Sequence, residues 1–170
     1  MTENAAAALG HKIIELKLDS ASIATRSAEL EIERHRAISD LLESNSFQLV
    51  QPEGAKGPYR LRLALEGDRM MIYVVCTLSG VAAEVPLPLS PFKSIIRDYI
   101  IVCDTFYKAA KAGEIHRLEA IDHGRRSIHD EGAETLADSL ENRVILDKLT
   151  ARRLFSLLYV LHMRGTTNLT

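Results

Sequence analysis

The chain has 170 residues, of which 46% are hydrophobic and 26% charged, and this composition favours one globular domain over a disordered chain. Its 21 basic and 23 acidic residues leave a net charge of −2, without the basic excess typical of a dedicated nucleic-acid binder. Its two cysteines are too few for a disulfide framework and show no CxxC spacing for metal or redox chemistry.

We expect residues 1–10 to form a flexible tail and residues 11–170 to form a single globular domain. The start, MTENAAAALGHK, lacks the basic segment and the long apolar core of a secretory signal. The apolar stretch LFSLLYVLHM near the end is too short to span a bilayer. The sequence therefore predicts a cytoplasmic protein that does not cross a membrane.

The first half of the chain predicts a small sheet beside one helix. In HKIIELKLD, apolar Ile14, Leu16 and Leu18 alternate with polar residues, which predicts a half-buried strand. A helix is expected over residues 28–44. YRLRLALE alternates in the same way, and a Gly-Asp turn at 67–68 connects it to the apolar strand MMIYVVCTL. AAEVPLPLS predicts a third strand of this meander, and its prolines predict an edge position.

The second half predicts three helices. One begins at Ser90-Pro91 and ends before Gly113, the second carries the charged segment EAIDHGRRSIHDEG, and the third begins with Thr150 as its capping residue. The third is apolar around nearly its whole circumference, as in a central helix or one at a subunit interface. The elements predict an α+β fold: an antiparallel meander of three to four strands packed by about four helices in two layers.

The segment EAIDHGRRSIHDEG, placed on a helix, exposes most of its charged residues. His116, Glu119 and His123 lie close together on the exposed side, but no second ligand cluster accompanies them, so no metal site is predicted. Ser127 and His129 point to nearly opposite sides, which excludes a triad within the segment. We therefore predict no catalytic residue and no cofactor.

Arg125 departs from this pattern because it falls on the buried face, with Asp122 and His129 at its edge. An internal Asp122–Arg125 pair that fixes helix packing is the favoured interpretation. The alternative is a ligand-binding cluster of Asp122, Arg125 and His129, joined by Arg34, which lies within the apolar arc of the first helix.

Five segments occur along the chain in this order: ERHRAISDLLESN, GPYRLRL, PFKSIIRDY, EAIDHGRRSIHDEG and TARRLFSLLYVLHMRG. Together they resemble uncharacterised protein family 0262, a set of bacterial proteins of unknown function, over about residues 12–165. The resemblance implies no activity, cofactor or partner. It implies family positions at Asp122, Gly124, Arg125, Arg126, His129, Glu131 and Gly132. His123 departs from the apolar residue expected there.

The sequence leaves three functional hypotheses. The first is a non-catalytic binding or assembly module that forms a homodimer or binds a protein partner. The second is an enzyme or sensor of an anionic small molecule that uses Asp122, Arg125 and His129. The third and weakest is RNA association through a set of basic residues: Arg125, Arg126, Arg143, Lys148, Arg152 and Arg153.

Overall fold

The computed structural model describes residues 9–19 and 27–166, with only the backbone of 164–166. Within these ranges the strands are β1 (Ile13–Leu18), β2 (Phe47–Leu49), β3 (Tyr59–Glu66), β4 (Arg69–Cys76), β5 (Ala82–Pro88) and β6 (Val144–Leu146). The helices are α1 (Ala28–Glu43), α2 (Lys93–Lys111), α3 (Ile115–Ser139) and α4 (Lys148–Thr166). The fold is α+β, as predicted. The expected flexible tail lies outside the described residues, apart from its last two positions, 9 and 10.

Four strands form the main sheet, in the order β1-β3-β4-β5. The pairs β3–β4 and β4–β5 are antiparallel, which is the predicted meander, and β5 lies at the edge. The turn between β3 and β4 is Gly67-Asp68, and Gly67 adopts a φ of 64°, which favours glycine. β1 pairs with β3 in parallel. Two of the three strand pairings in the sheet are therefore antiparallel.

The buried face of β1 differs from the predicted one. The pairing of β1 with β3 is irregular between Ile13 and Glu15, so strict alternation is broken there. Ile13 and Leu16 are buried, whereas Ile14 is 47% exposed. The prediction that Ile14 shares the inner face with Leu16 is therefore wrong.

The four helices form a second layer on the main sheet. α4 packs between α1 and α3 and contacts β3, while α2 packs on α3. Buried residues occur all around α4: Ala151, Leu154, Phe155, Ser156, Leu157, Leu158, Tyr159, Val160 and Leu161. The apolar circumference of α4 thus belongs to a central helix of the chain's own core. In the described part of the chain, no helix has the length and apolarity needed to cross a membrane.

The starts of two helices differ from the predictions. Ser90–Phe92 form a 3-10 turn before α2, and Ser90 makes no capping hydrogen bond there. At α4 the capping side chain is Asp147, whose Oδ1 accepts a hydrogen bond from the Thr150 amide at 2.9 Å. The Thr150 hydroxyl instead accepts from the amide of Ser46 at 2.9 Å, next to the small β2–β6 sheet that the sequence did not predict.

Candidate functional site

A cavity of about 220 Å³ lies where all four helices meet. It is lined by Ile32, Glu33, Arg36 and Ala37 of α1, Tyr99 and Tyr107 of α2, Arg125, Arg126 and His129 of α3, and Arg152, Arg153 and Ser156 of α4. Most of these side chains are polar. Since ligand sites usually combine a concave shape with converging polar groups, this cavity is the candidate functional site. We call it the arginine cavity.

Five guanidinium groups from three helices line the arginine cavity. Neighbouring carboxylates that are not part of its lining bind four of them: Asp122 binds Arg125 and Arg126, Asp130 binds Arg152, and Asp40 binds Arg153, at N–O distances of 2.6 to 3.4 Å. Each guanidinium has five N–H donors, of which one ion pair uses only one or two. The carboxylates therefore orient the guanidiniums and leave donors for a ligand.

His129 and Ser156 form a buried pair in the cavity wall. Nε2 of His129 lies 2.7 Å from Oγ of Ser156, which joins α3 to α4. Both residues are almost completely buried, at 6% and 5% exposure. Nδ1 of His129 is also buried and has no hydrogen-bond partner among the described residues. The imidazole packs against the rings of Tyr99 and Phe155, at centroid distances of 5.6 and 5.5 Å.

A second polar pair joins α1 to α2 at the same cavity. The hydroxyl of Tyr99 donates a hydrogen bond to Oε1 of Glu33 at 2.9 Å. Burial raises the pKa of Glu33, although this hydrogen bond and the charges of Arg125 and Arg36 act in the opposite direction. Glu33 is the one carboxylate among the described residues that line the cavity.

Burial and the neighbouring arginines together keep His129 uncharged. Burial, and then the positive charges of Arg152, Arg125 and Arg153, lower the pKa of His129 to about 4. The imidazole is therefore neutral at pH 7. In that state its two nitrogens comprise one donor and one acceptor.

The residues singled out from the sequence are only partly brought together. Asp122 and Arg125 form the expected ion pair, with Asp122 Oδ1 at 2.6 and 3.0 Å from two guanidinium nitrogens of Arg125, but the pair is only partly buried. Arg125 and His129 both line the arginine cavity, whereas Asp122 is not among its lining residues. Arg34 is not among the lining residues either, because its guanidinium pairs with Glu31 on its own helix.

Sequence reasoning missed several residues of the cavity. These are Glu33, Arg36, Tyr99, Tyr107 and Ser156, while Arg152 and Arg153 entered only as basic residues of a possible RNA surface. One signal was present: the polar run Arg152-Arg153 and the lone Ser156 interrupt an otherwise apolar helix. Polar residues on a central helix need partners, and those of Arg152, Arg153 and Ser156 are Asp130, Asp40 and His129.

The exposed histidines of α3, His116 and His123, do not line the arginine cavity. His116, Glu119 and His123 are exposed, as the helical pattern predicted. Within residues 9–19 and 27–166, no group of three or more His, Cys, Asp or Glu is placed to hold a metal ion. The arginine cavity is thus a site of cationic donors rather than of metal ligands.

The fold and the cavity define a class of protein: an α+β domain with an arginine-lined cavity between its helices. The chain belongs to the uncharacterised protein family UPF0262, whose model matches residues 10–164. This confirms the family resemblance and its bacterial distribution.

Curated relatives match nearly the whole chain, and each is named a UPF0262 protein. One from Mesorhizobium japonicum is 44% identical over 155 residues, which cover 91% of this chain and 94% of the relative. One from Nitrobacter winogradskyi is 42% identical over 156 residues, 91% of this chain and 92% of the relative. One from Sphingopyxis alaskensis is 41% identical over 156 residues, which cover 91% of this chain and 94% of the relative. No solved structure matches the chain.

Proposed function

We propose that the protein binds a small anionic molecule in the arginine cavity and acts as a binding protein or sensor for it. The observation that carries this proposal is the convergence of five guanidinium groups from three helices on one cavity. Guanidiniums recognise carboxylate and phosphate groups through paired, charge-assisted hydrogen bonds. The proposal follows the second hypothesis from the sequence, with a different set of residues around Arg125 and His129.

One buried polar atom in the cavity wall, Nδ1 of His129, supports the same conclusion. A buried polar atom without a partner costs about 1–3 kcal/mol of stability, so proteins seldom keep one without a function. Nδ1 of His129 is such an atom among the described residues. A ligand in contact with the imidazole would supply a hydrogen-bond partner for Nδ1 of His129.

The other two hypotheses receive less support. The assembly hypothesis rested on the apolar circumference of α4, which is buried within the chain itself. The arginine cavity is lined by four residues of the suggested RNA surface: Arg125, Arg126, Arg152 and Arg153. Carboxylates bind all four of them. A concave, partly neutralised cluster suits a small anion better than an extended nucleic-acid backbone.

Calorimetric titration with sulfate, phosphate and succinate, all at the same ionic strength, tests the proposal. We expect at least one of these anions to bind to the wild-type protein. Replacing both Arg152 and Arg153 by Gln should weaken that binding by about tenfold or more, because two charged donors are removed. Glu33→Gln should strengthen binding, because it removes a negative charge from the cavity and keeps a hydrogen-bond acceptor for Tyr99.

The matched control is replacement of Arg60 and Arg62 by Gln. These two arginines lie on β3 and pair with Glu15 and Asp19, away from the helices. The control removes the same charge and should leave anion binding unchanged. Circular dichroism would verify that each variant is folded. The proposal is wrong if none of the anions binds, or if the cavity variant and the control bind equally well.

A further inference from the structure

We propose that the arginine cavity binds a tetrahedral oxyanion, as in a phosphoryl group, and that His129 takes up a proton when the anion binds. This inference rests on the proposed function and specifies the ligand and its coupling to pH. It depends on two arrangements: the directions from which the guanidiniums approach, and the place of His129 among them.

The arginines that line the cavity belong to three different helices, α1, α3 and α4. A carboxylate has two oxygens in one plane, and a single guanidinium can satisfy both. A phosphoryl or sulfate group presents its oxygens in several directions and can accept hydrogen bonds from several guanidiniums at once. The arrangement therefore favours a tetrahedral oxyanion over a carboxylate.

The charged and titratable groups around His129 come from every helix. They are Glu33 and Arg36 of α1, Tyr99 and Tyr107 of α2, Arg125, Arg126 and Asp130 of α3, and Arg152 and Arg153 of α4. Burial keeps the imidazole neutral, and the charges of three of these arginines act in the same direction. A bound dianion would offset their charge and attract a positive charge on the ring. Protonation of His129 would then add one more charged donor beside the anion.

Binding and protonation favour each other by linkage. The bound anion raises the pKa of His129 above its unliganded value of about 4. The affinity for the anion therefore increases as pH falls through the raised pKa, and it levels off below the unliganded pKa. If the anion restores the ordinary pKa of 6.5, affinity should be about tenfold higher at about pH 5.5 than at about pH 7.5.

Sulfate is the sharpest probe of this coupling. Since sulfate stays fully ionised over this range of pH, any proton that is taken up must reside on the protein. Calorimetry at about pH 6, in two buffers with different ionisation enthalpies, should show uptake of about three quarters of a proton per sulfate bound if the liganded pKa is 6.5. NMR titration of the His129 ring, with and without sulfate, should show the upward shift of its pKa directly.

Two variants separate His129 from other histidines. His129→Gln should lose both the proton uptake and the increase in affinity for sulfate at low pH. His162→Gln is the control. Burial lowers the pKa of His162 as well, but this histidine does not line the cavity. Its proton uptake should equal that of the wild type.

Succinate should bind at least about tenfold more weakly than sulfate, since its carboxylates are planar. Inorganic phosphate and glycerol phosphate, compared in the same assay, then distinguish free phosphate from a phosphorylated molecule as the source of the group. Sulfate binding without proton uptake, or succinate binding as strong as that of sulfate, would overturn the inference while the proposed function stands. If no anion binds, both are overturned.

Discussion

Gly132 of α3 lies directly against the ring of Phe155 of α4, so closely that a Cβ atom at residue 132 would be 2.4 Å from Cε2 of Phe155. Such a distance does not occur between real side chains. The glycine therefore sets how closely α3 approaches α4. Because His129 lies one turn before Gly132, and Ser156 follows Phe155, this contact also sets the geometry of the His129–Ser156 pair.

We expect Gly132→Ala to lower the free energy of unfolding by about 1–3 kcal/mol, because the added methyl group overlaps a buried ring. Urea denaturation measures the change. Gly124→Ala on the same helix is the matched control, since a Cβ there meets no atom within 4 Å. Helix propensity alone should make that variant more stable by up to about 1 kcal/mol. If the two substitutions change the free energy of unfolding equally, the contact with Phe155 does not limit how closely α3 approaches α4.

A second prediction concerns Asn45, which is only 3% exposed. Its side chain accepts from the amide of Ile13 at 2.7 Å and donates to the carbonyls of Ile13 and Leu41 at 2.9 and 2.8 Å. It thus joins the end of α1 to β1. Asn45→Ala leaves three buried backbone groups without this partner and should lower the free energy of unfolding by about 3 kcal/mol.

Asn45→Asp tests whether these hydrogen bonds, rather than packing, matter. The carboxylate could still accept from the Ile13 amide, but its other oxygen would face carbonyl oxygens instead of donating to them. We expect it to be at least as destabilising as the alanine at neutral pH. Exposed Ser44→Ala should change stability by less than about 0.5 kcal/mol. If Asn45→Asp is as stable as the wild type in urea, the assignment of the amide nitrogen as the donor is wrong.

The main sheet could be predicted because its signals are local. The Gly67-Asp68 turn, the alternation in β3 and the prolines of β5 each act within a few residues, and each prediction is confirmed. The inner face of β1 could not be predicted in this way. Its alternation is broken by an irregular pairing with β3, and that pairing depends on a strand more than forty residues later.

The cavity was harder to predict because it depends on which helices converge. The helical pattern of α3 alone identified Arg125 and its pair with Asp122. It could not show that Glu33, more than ninety residues earlier, and Ser156, on a later helix, would face the same space. Arg34 is a different case, because its partner Glu31 lies three residues earlier on the same helix, a local pairing that the sequence could have shown.

The last prediction concerns stability in acid. In the folded protein the pKa of His129 is lowered to about 4, against 6.5 for an ordinary histidine. Between these values the unfolded chain binds more protons than the folded one, so the free energy of unfolding falls as pH falls, by about 3 kcal/mol in total. Below pH 4 this contribution stays constant. Urea denaturation in chloride buffers free of sulfate and phosphate, between about pH 7.5 and pH 4, measures the slope.

His129→Gln isolates this contribution, because every other titrating group remains. Its amide can also form a hydrogen bond with Ser156. Subtracting the variant's curve from that of the wild type should leave a difference that changes by about 3 kcal/mol between pH 6.5 and pH 4 and is flat elsewhere. Parallel curves for the two proteins would mean that the imidazole gains a proton in the folded state as easily as in the unfolded one. Neither burial nor the arginines would then disfavour the protonated form of His129.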